Sequence, residues 1–172
     1  TFQEEEYATG VKLSIWGTLF AALLGFMVGL CRVSPRLFLR MVGRTYVESI
    51  RNTPPLVLVF IFYYFISDQL LALASVEELA RAATGTGRAL LAFFFAEPNL
   101  INQFFSGVLT LALFQGAYIA EIVRAGIQAI DTGQWEAGKS IGLTRWQLLR
   151  RIILPQATRI MLPPLAGEFI NT

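Results

Sequence analysis

Gly133, four intervening residues and then Gly138-Lys139-Ser140 match the phosphate-loop pattern G-x-x-x-x-G-K-S, a spacing that in the right setting cradles a nucleotide. That chemistry needs an apolar strand running into a glycine-rich turn, whose backbone amides wrap the phosphates at the start of a helix. Here the lead-in, Glu121 to Asp131, reads as the end of a helix. Trp135 and Glu136 put a bulky ring and an anion where phosphate oxygens would lie, and no apolar strand ending in a magnesium-binding Asp follows. The chain has no His, which removes the commonest metal ligand and the commonest neutral-pH base. Its lone cysteine, Cys31, cannot form an internal disulfide. Nucleotide hydrolysis, zinc chemistry and general-base hydrolysis are not expected, no metal site is expected, and no cofactor is expected to bind this chain.

The elements around the motif define the class. The chain is 55% hydrophobic with a mean hydropathy of +0.56, and its apolar residues fall in long blocks. No charge occurs from Leu13 to Cys31 or from Asn99 to Ala120, and each block is long enough to cross roughly 30 Å of hydrocarbon. A third block starts at Thr53-Pro54-Pro55, a kink or a helix entry, and is interrupted at Asp68. The sequence thus predicts an all-α, multi-span integral membrane protein with spans over about 12–31, 52–74 and 100–122. A further span begins near Pro155, contains Pro163-Pro164 and is still running at Thr172. Residues 1–10 read as an external segment and 11–172 as the membrane domain. An opening Thr1 followed by Glu4-Glu5-Glu6 is no secretory signal, and both ends read as cut.

Orientation follows from Lys and Arg near the span ends rather than from the net charge of +2. Arg32, Arg36, Arg40, Arg44 and Arg51 face only Glu48 in one connection, and residues 121–154 are also rich in Lys and Arg. The N-terminus and the stretch from Asp68 to Glu97 are acidic by comparison. The charges place the N-terminus outside and the 32–51 and 121–154 loops in the cytoplasm, and no nucleic-acid partner is expected. Arginines at 32, 36, 40 and 44 would stack along one helix face, as a stripe for lipid phosphates or as a contact for a cytoplasmic partner. Gly25 and Gly29 form a G-x-x-x-G that lets another helix approach closely.

The 131–154 loop reads as a helix, a glycine turn and a second helix. Asp131 with Gln134, and Thr144 with Gln147, are spaced as capping pairs, and Gly142 suits the left-handed position that ends a helix. Pro155 is expected to limit the second helix. Trp146, Leu149 and Ile153 fall on one stripe, which needs an apolar surface to cover, on the chain's own cytoplasmic face or in a partner's groove.

Glu136-Ala137-Gly138, three residues, Gly142, nine residues and Ile152-Ile153-Leu154-Pro155 resemble the E-A-A…G…I-x-L-P loop of permease subunits of ATP-binding-cassette importers. Arg51-Asn52-Thr53-Pro54-Pro55-Leu56, Gly116-Ala117-Tyr118-Ile119-Ala120-Glu121-Ile122-Val123-Arg124 and Leu154-Pro155-Gln156-Ala157 resemble its polar amino acid branch. The resemblance covers most of residues 11–172. Gly138 departs from the usual Ala, at a cost in helix propensity of up to about 1 kcal/mol. The segment 75–99 is longer than is usual for the branch.

The resemblance implies that an extracytoplasmic binding protein delivers an amino acid and that two permease subunits, identical or paralogous, form the path. Separate cassette ATPase subunits use ATP and Mg, and the loop transmits their closure. On that reading Glu136, Ala137, Gly138, Gly142, Ile152, Leu154 and Pro155 couple to the ATPase, although Glu136 also suits simple capping of its helix. Polar residues inside spans are candidates for the substrate path because burying them is costly: Gln115, Tyr118 and Glu121 on the third span, and Tyr63, Tyr64 and Asp68 on the second. Against this, Glu121 is placed to pair with Arg124, and tyrosines often mark membrane interfaces. An ATP-independent transporter or channel is the alternative class, but it has no reason to present the Glu136–Pro155 hairpin.

Overall fold

The computed structural model describes residues 2–66, 69, 93–96 and 100–170, and every element in them is helical. α1 spans Phe2–Arg32 and α2 spans Leu37–Arg51. Pro54 then caps α3, Pro55–Phe60, which continues as a π-helical segment, Ile61–Ile66. The expected second span is thus entered at Pro55, where the missing N–H of proline costs nothing; its remaining stretch, 67–74, lies outside the described residues except for residue 69. α4 is Ile101–Gln128, α5 Thr132–Ser140 and α6 Arg145–Leu148. A π-helical segment, Leu149–Ile153, leads directly into α7, Leu154–Ile170.

α1 and α4 are the two helices long and apolar enough to cross a membrane among the described residues. They pack side by side and run parallel. Leu13 meets Gly107, Gly17 meets Leu111, Gly25 meets Ile119 and Gly29 meets Val123, at a constant sequence offset. The G-x-x-x-G lies in this seam: a β-carbon at Gly25 would stand 2.8 Å from the Gly116 carbonyl oxygen, and one at Gly29 would stand 3.0 Å from that of Ala120. Backbone therefore approaches backbone, as small residues allow between membrane helices. The opposite side of α1 exposes Leu19, Leu23 and Met27, each more than half accessible. Such an apolar face is a liability in water and is satisfied by lipid.

Two parallel crossing helices require an odd number of crossings between them. The apolar segment that starts at Pro55 is suited to supply one.

α2 folds back across the pair. Val47, Ile50, Leu58 and Phe62 bury against Ala117 and Ala120 of α4, and the Tyr46 hydroxyl donates to the Leu113 carbonyl at 2.5 Å. Near the N-terminal half of the seam, Trp16 stacks on Phe95 and donates from Nε1 to the Phe94 carbonyl at 2.9 Å.

The four-spaced arginines do not form the single stripe that helical continuity would give. The chain breaks at Val33–Arg36, where Pro35 cannot continue α1, so Arg32 ends one helix and Arg36 caps the next. They are sent to different partners as a result. Arg32 turns inward to Glu121 and Arg44 pairs along α2 with Glu48, while Arg36 and Arg40 line clefts beside α5.

Candidate functional site

The 131–154 connection folds as a hairpin of two short helices. Asp131 caps α5, its Oδ1 accepting from the Gly133 amide at 2.6 Å. The expected reciprocal bond from Gln134 does not form, because its side chain meets Gln156 across the hairpin instead. At α6 both halves of the capping box are present, with Thr144 Oγ1 accepting from the Gln147 amide and Gln147 Oε1 accepting from the Thr144 amide at 2.9 Å. Gly142 holds the turn at φ +80°, in the left-handed region where a side chain is disfavoured. The Gly142 and Leu143 amides donate to the Lys139 and Gly138 carbonyls and close the end of α5.

Pro155 does not stop the second helix. A proline ring inside an α-helix collides with the carbonyl four residues back. The wider π turn over Leu149–Ile153 precedes Pro155 and takes up that misfit, so the chain runs on into α7. The same turn changes which residues face inward: Leu148 and Ile153 are fully buried, while Trp146 is 59% exposed. With Ile127, Ile130, Ala157 and Met161 they form the core that anchors the hairpin to α4 and α7, and Ile152 and Leu154 pack against it.

The hairpin therefore has two sides. Glu136, Ala137, Ser140 and Gly142 are exposed, as is Pro155. Gly138 is buried and faces Leu148 rather than solvent, so its smallness serves the thinness of the hairpin. Ile141, which the sequence reading passed over, is 73% exposed on a loop fastened to a rigid core. The signal available for it was an isoleucine directly before a turn glycine, a place where no core can reach.

The polar candidates in α4 and α3 fall into separate places. Gln115 is buried within α4. Tyr118 and Glu121 are brought together through Arg51, whose guanidinium lies 5.5 Å from the Tyr118 ring centre and 3.9 Å from Glu121 Oε2. Glu121 also pairs with Arg32, across 89 residues of sequence, and with Arg124 at 2.5 Å. One carboxylate thus ties the ends of α1 and α2 to α4. Tyr63 sits in the π segment after α3, edge-on to Tyr64 with ring centres 5.0 Å apart, and is half-buried. Asp68 lies outside the described residues, as does the 75–99 stretch apart from residues 93–96.

These features define an all-α chain with two helices of membrane-spanning length and a helix-turn-helix anchored on the core they form. The chain belongs to the binding-protein-dependent transport system inner membrane component family, whose model matches residues 21–172. It is 35% identical over 161 residues to the L-cystine transport system permease protein of Bacillus subtilis, covering 94% of this chain and 57% of that protein. It is 36% identical over 163 residues to the glutamate/aspartate import permease protein of Escherichia coli K12, covering 94% and 59%. A crystal structure of an amino acid ABC transporter with histidines superposes at a TM-score of 0.64 with 34% identity, over 92% of this chain and 61% of that one. The chain therefore spans less than two thirds of the length of these relatives.

Proposed function

We propose that this chain is the permease portion of an ATP-driven amino acid importer and has no catalysis of its own. The observation that carries the reading is the two-sided hairpin. Its inner side, through Leu148 and Ile153, is locked into the membrane core, while Glu136, Ala137, Ser140 and Ile141 stand exposed on the outer side. A partner that grips the outer side moves the core as a rigid body, because Ile152 and Leu154 pack on the same cluster and Pro155 follows them into α7 without a hinge.

The partner is a cassette ATPase, which binds ATP and Mg; closure of two such ATPase subunits is transmitted through the hairpin, and a second permease subunit, identical or paralogous, completes the path. Glu136, exposed in the second turn of α5 and beyond the N-terminal turn that Asp131 caps, is placed to meet a basic group of that partner rather than to cap its own helix. The opposite end receives an amino acid from an extracytoplasmic binding protein. The path runs past α4, with Gln115, Tyr118, Glu121 and Tyr63 as its polar candidates. The charge distribution supports a cytoplasmic hairpin and an external N-terminus, and the parallel packing of α1 and α4 is consistent with it. The named substrates of the relatives, cystine and glutamate/aspartate, support an amino acid as the cargo class.

The test is ATP hydrolysis in lipid vesicles by the full-length chain with a candidate cassette ATPase, adding binding protein loaded with each polar amino acid in turn. Stimulation by some amino acids and not others is expected. Transport that persists in vesicles lacking any ATPase sinks the reading.

A further inference from the structure

Two adjoining clefts open between the α1–α2 corner and the hairpin, sharing Val33, Ser34, Pro35, Trp135 and Arg145 as walls. One, of about 500 Å³, is apolar, with Leu30, Leu39, Trp146 and Leu149. The other, of about 400 Å³, is basic, with Arg32 and Arg40 beside Gln128 and Thr132. Arg36 stands on the apolar cleft. Among the described residues no carboxylate lines either cleft. Arg32 is neutralised by Glu121, and Arg145 is engaged by the Val33 carbonyl at 2.8 Å and the Trp135 ring. Arg36 and Arg40 meet no carboxylate among the described residues, so two uncompensated cations border a space that is greasy at one end and polar at the other.

The position selects the occupant. Arg32 and Gln128 are the last residues of the two parallel apolar helices, and both line the basic cleft. The clefts therefore lie at the level where hydrocarbon gives way to headgroups. We infer that they bind one anionic phospholipid, its phosphate between Arg36 and Arg40 and an acyl chain against Leu39, Trp146 and Leu149. A basic pocket at a span end is suited to such a headgroup, and each arginine there is worth about a fivefold change in binding. Because the hairpin forms one wall, lipid occupancy bears on how firmly α5 is seated. The inference needs the membrane placement of the family and not the coupling role of the hairpin.

The experiment is native mass spectrometry of the purified full-length chain in detergent, with phosphatidylglycerol and phosphatidylcholine as probes. Wild type is expected to retain phosphatidylglycerol at least about fivefold better. Arg36→Gln with Arg40→Gln is expected to lower that retention about 25-fold without changing the melting temperature, both residues being exposed. Trp146→Ala is expected to weaken both lipids, and inorganic phosphate is expected not to displace the lipid. Arg150→Gln with Arg151→Gln, exposed arginines outside both clefts, is expected to change nothing. Equal loss in that control pair overturns the proposal in favour of diffuse charge. Unchanged lipid retention in the Arg36/Arg40 variant overturns it too.

Discussion

Gly138 lies against Leu148 so closely that a β-carbon at position 138 would overlap the leucine Cδ1 and stand 3.3 Å from its Cγ, and Leu148 is itself fully buried. Two effects oppose each other in Gly138→Ala. Helix propensity gains up to about 1 kcal/mol, and overpacking costs about 1–3 kcal/mol. Leu148 is enclosed by Ile127, Ile130 and Ile153 and cannot swing aside freely, so overpacking wins. Gly138→Ala is expected to destabilise the full-length chain by about 1 kcal/mol, and the cost shrinks in a Leu148→Ala background, where the space exists. A double-mutant cycle by thermal unfolding checks this, and additivity within about 0.5 kcal/mol would show that the two residues do not compete for one space.

What could be read in the sequence was what is local. The Thr144–Gln147 capping box and the Gly142 turn depend on neighbours within four residues, and both formed. The Gly25–Gly29 approach was legible as a packing surface, but its partner, Ile119 and Val123 of α4, required the register of two helices far apart in sequence. Readings failed where a distant group intervened. Gln134 left its cap for Gln156, and Arg32 left its stripe for Glu121. Trp146, Leu149 and Ile153 share one stripe only when counted at 3.6 residues per turn, and the π turn before Pro155 breaks that count, burying Ile153 while Trp146 stays exposed. A period argument holds only while the helix type does.

Gly142 has open space around its would-be β-carbon, so the cost of substitution there is backbone strain alone. Left-handed backbone costs an ordinary L-residue about 1–2 kcal/mol, and Asn tolerates it best. Gly142→Asn is expected to retain most substrate-stimulated ATP hydrolysis in the reconstituted complex, Gly142→Ala less, and Gly142→Val least. Equal activity for Asn and Val would mean that the turn carries no strain that matters to coupling.

Glu121 holds Arg32, whose side chain is only 11% exposed, together with Arg124. Removing the carboxylate charge leaves a nearly buried guanidinium without its counter-ion, a change that costs about 3–5 kcal/mol for fully buried pairs and less here because Glu121 is 23% exposed. Glu121→Gln is expected to cost about 2 kcal/mol. Arg124→Gln is expected to cost well under half of that, because Arg32 still neutralises Glu121. Thermal unfolding of the purified full-length variants gives the order. The reverse order would mean that Arg124, not Arg32, is the partner that fixes Glu121.

The α1–α4 seam makes a sharper demand. At Gly25 and Gly29 the nearest obstacles to a β-carbon include the Gly116 and Ala120 carbonyl oxygens, which are backbone and cannot rotate away. Gly10, on the same helix, has nothing within 4 Å. Gly25→Ala and Gly29→Ala are each expected to cost about 1–3 kcal/mol by forcing the helices apart. Gly10→Ala is expected to be neutral or slightly stabilising, since alanine is the better helix former. Helix propensity alone predicts the same small gain at all three sites, so thermal unfolding of the three variants in one detergent separates the two accounts. Three equal melting temperatures would mean that the seam is loose enough to admit a methyl group, and that close backbone approach does not hold these helices in register.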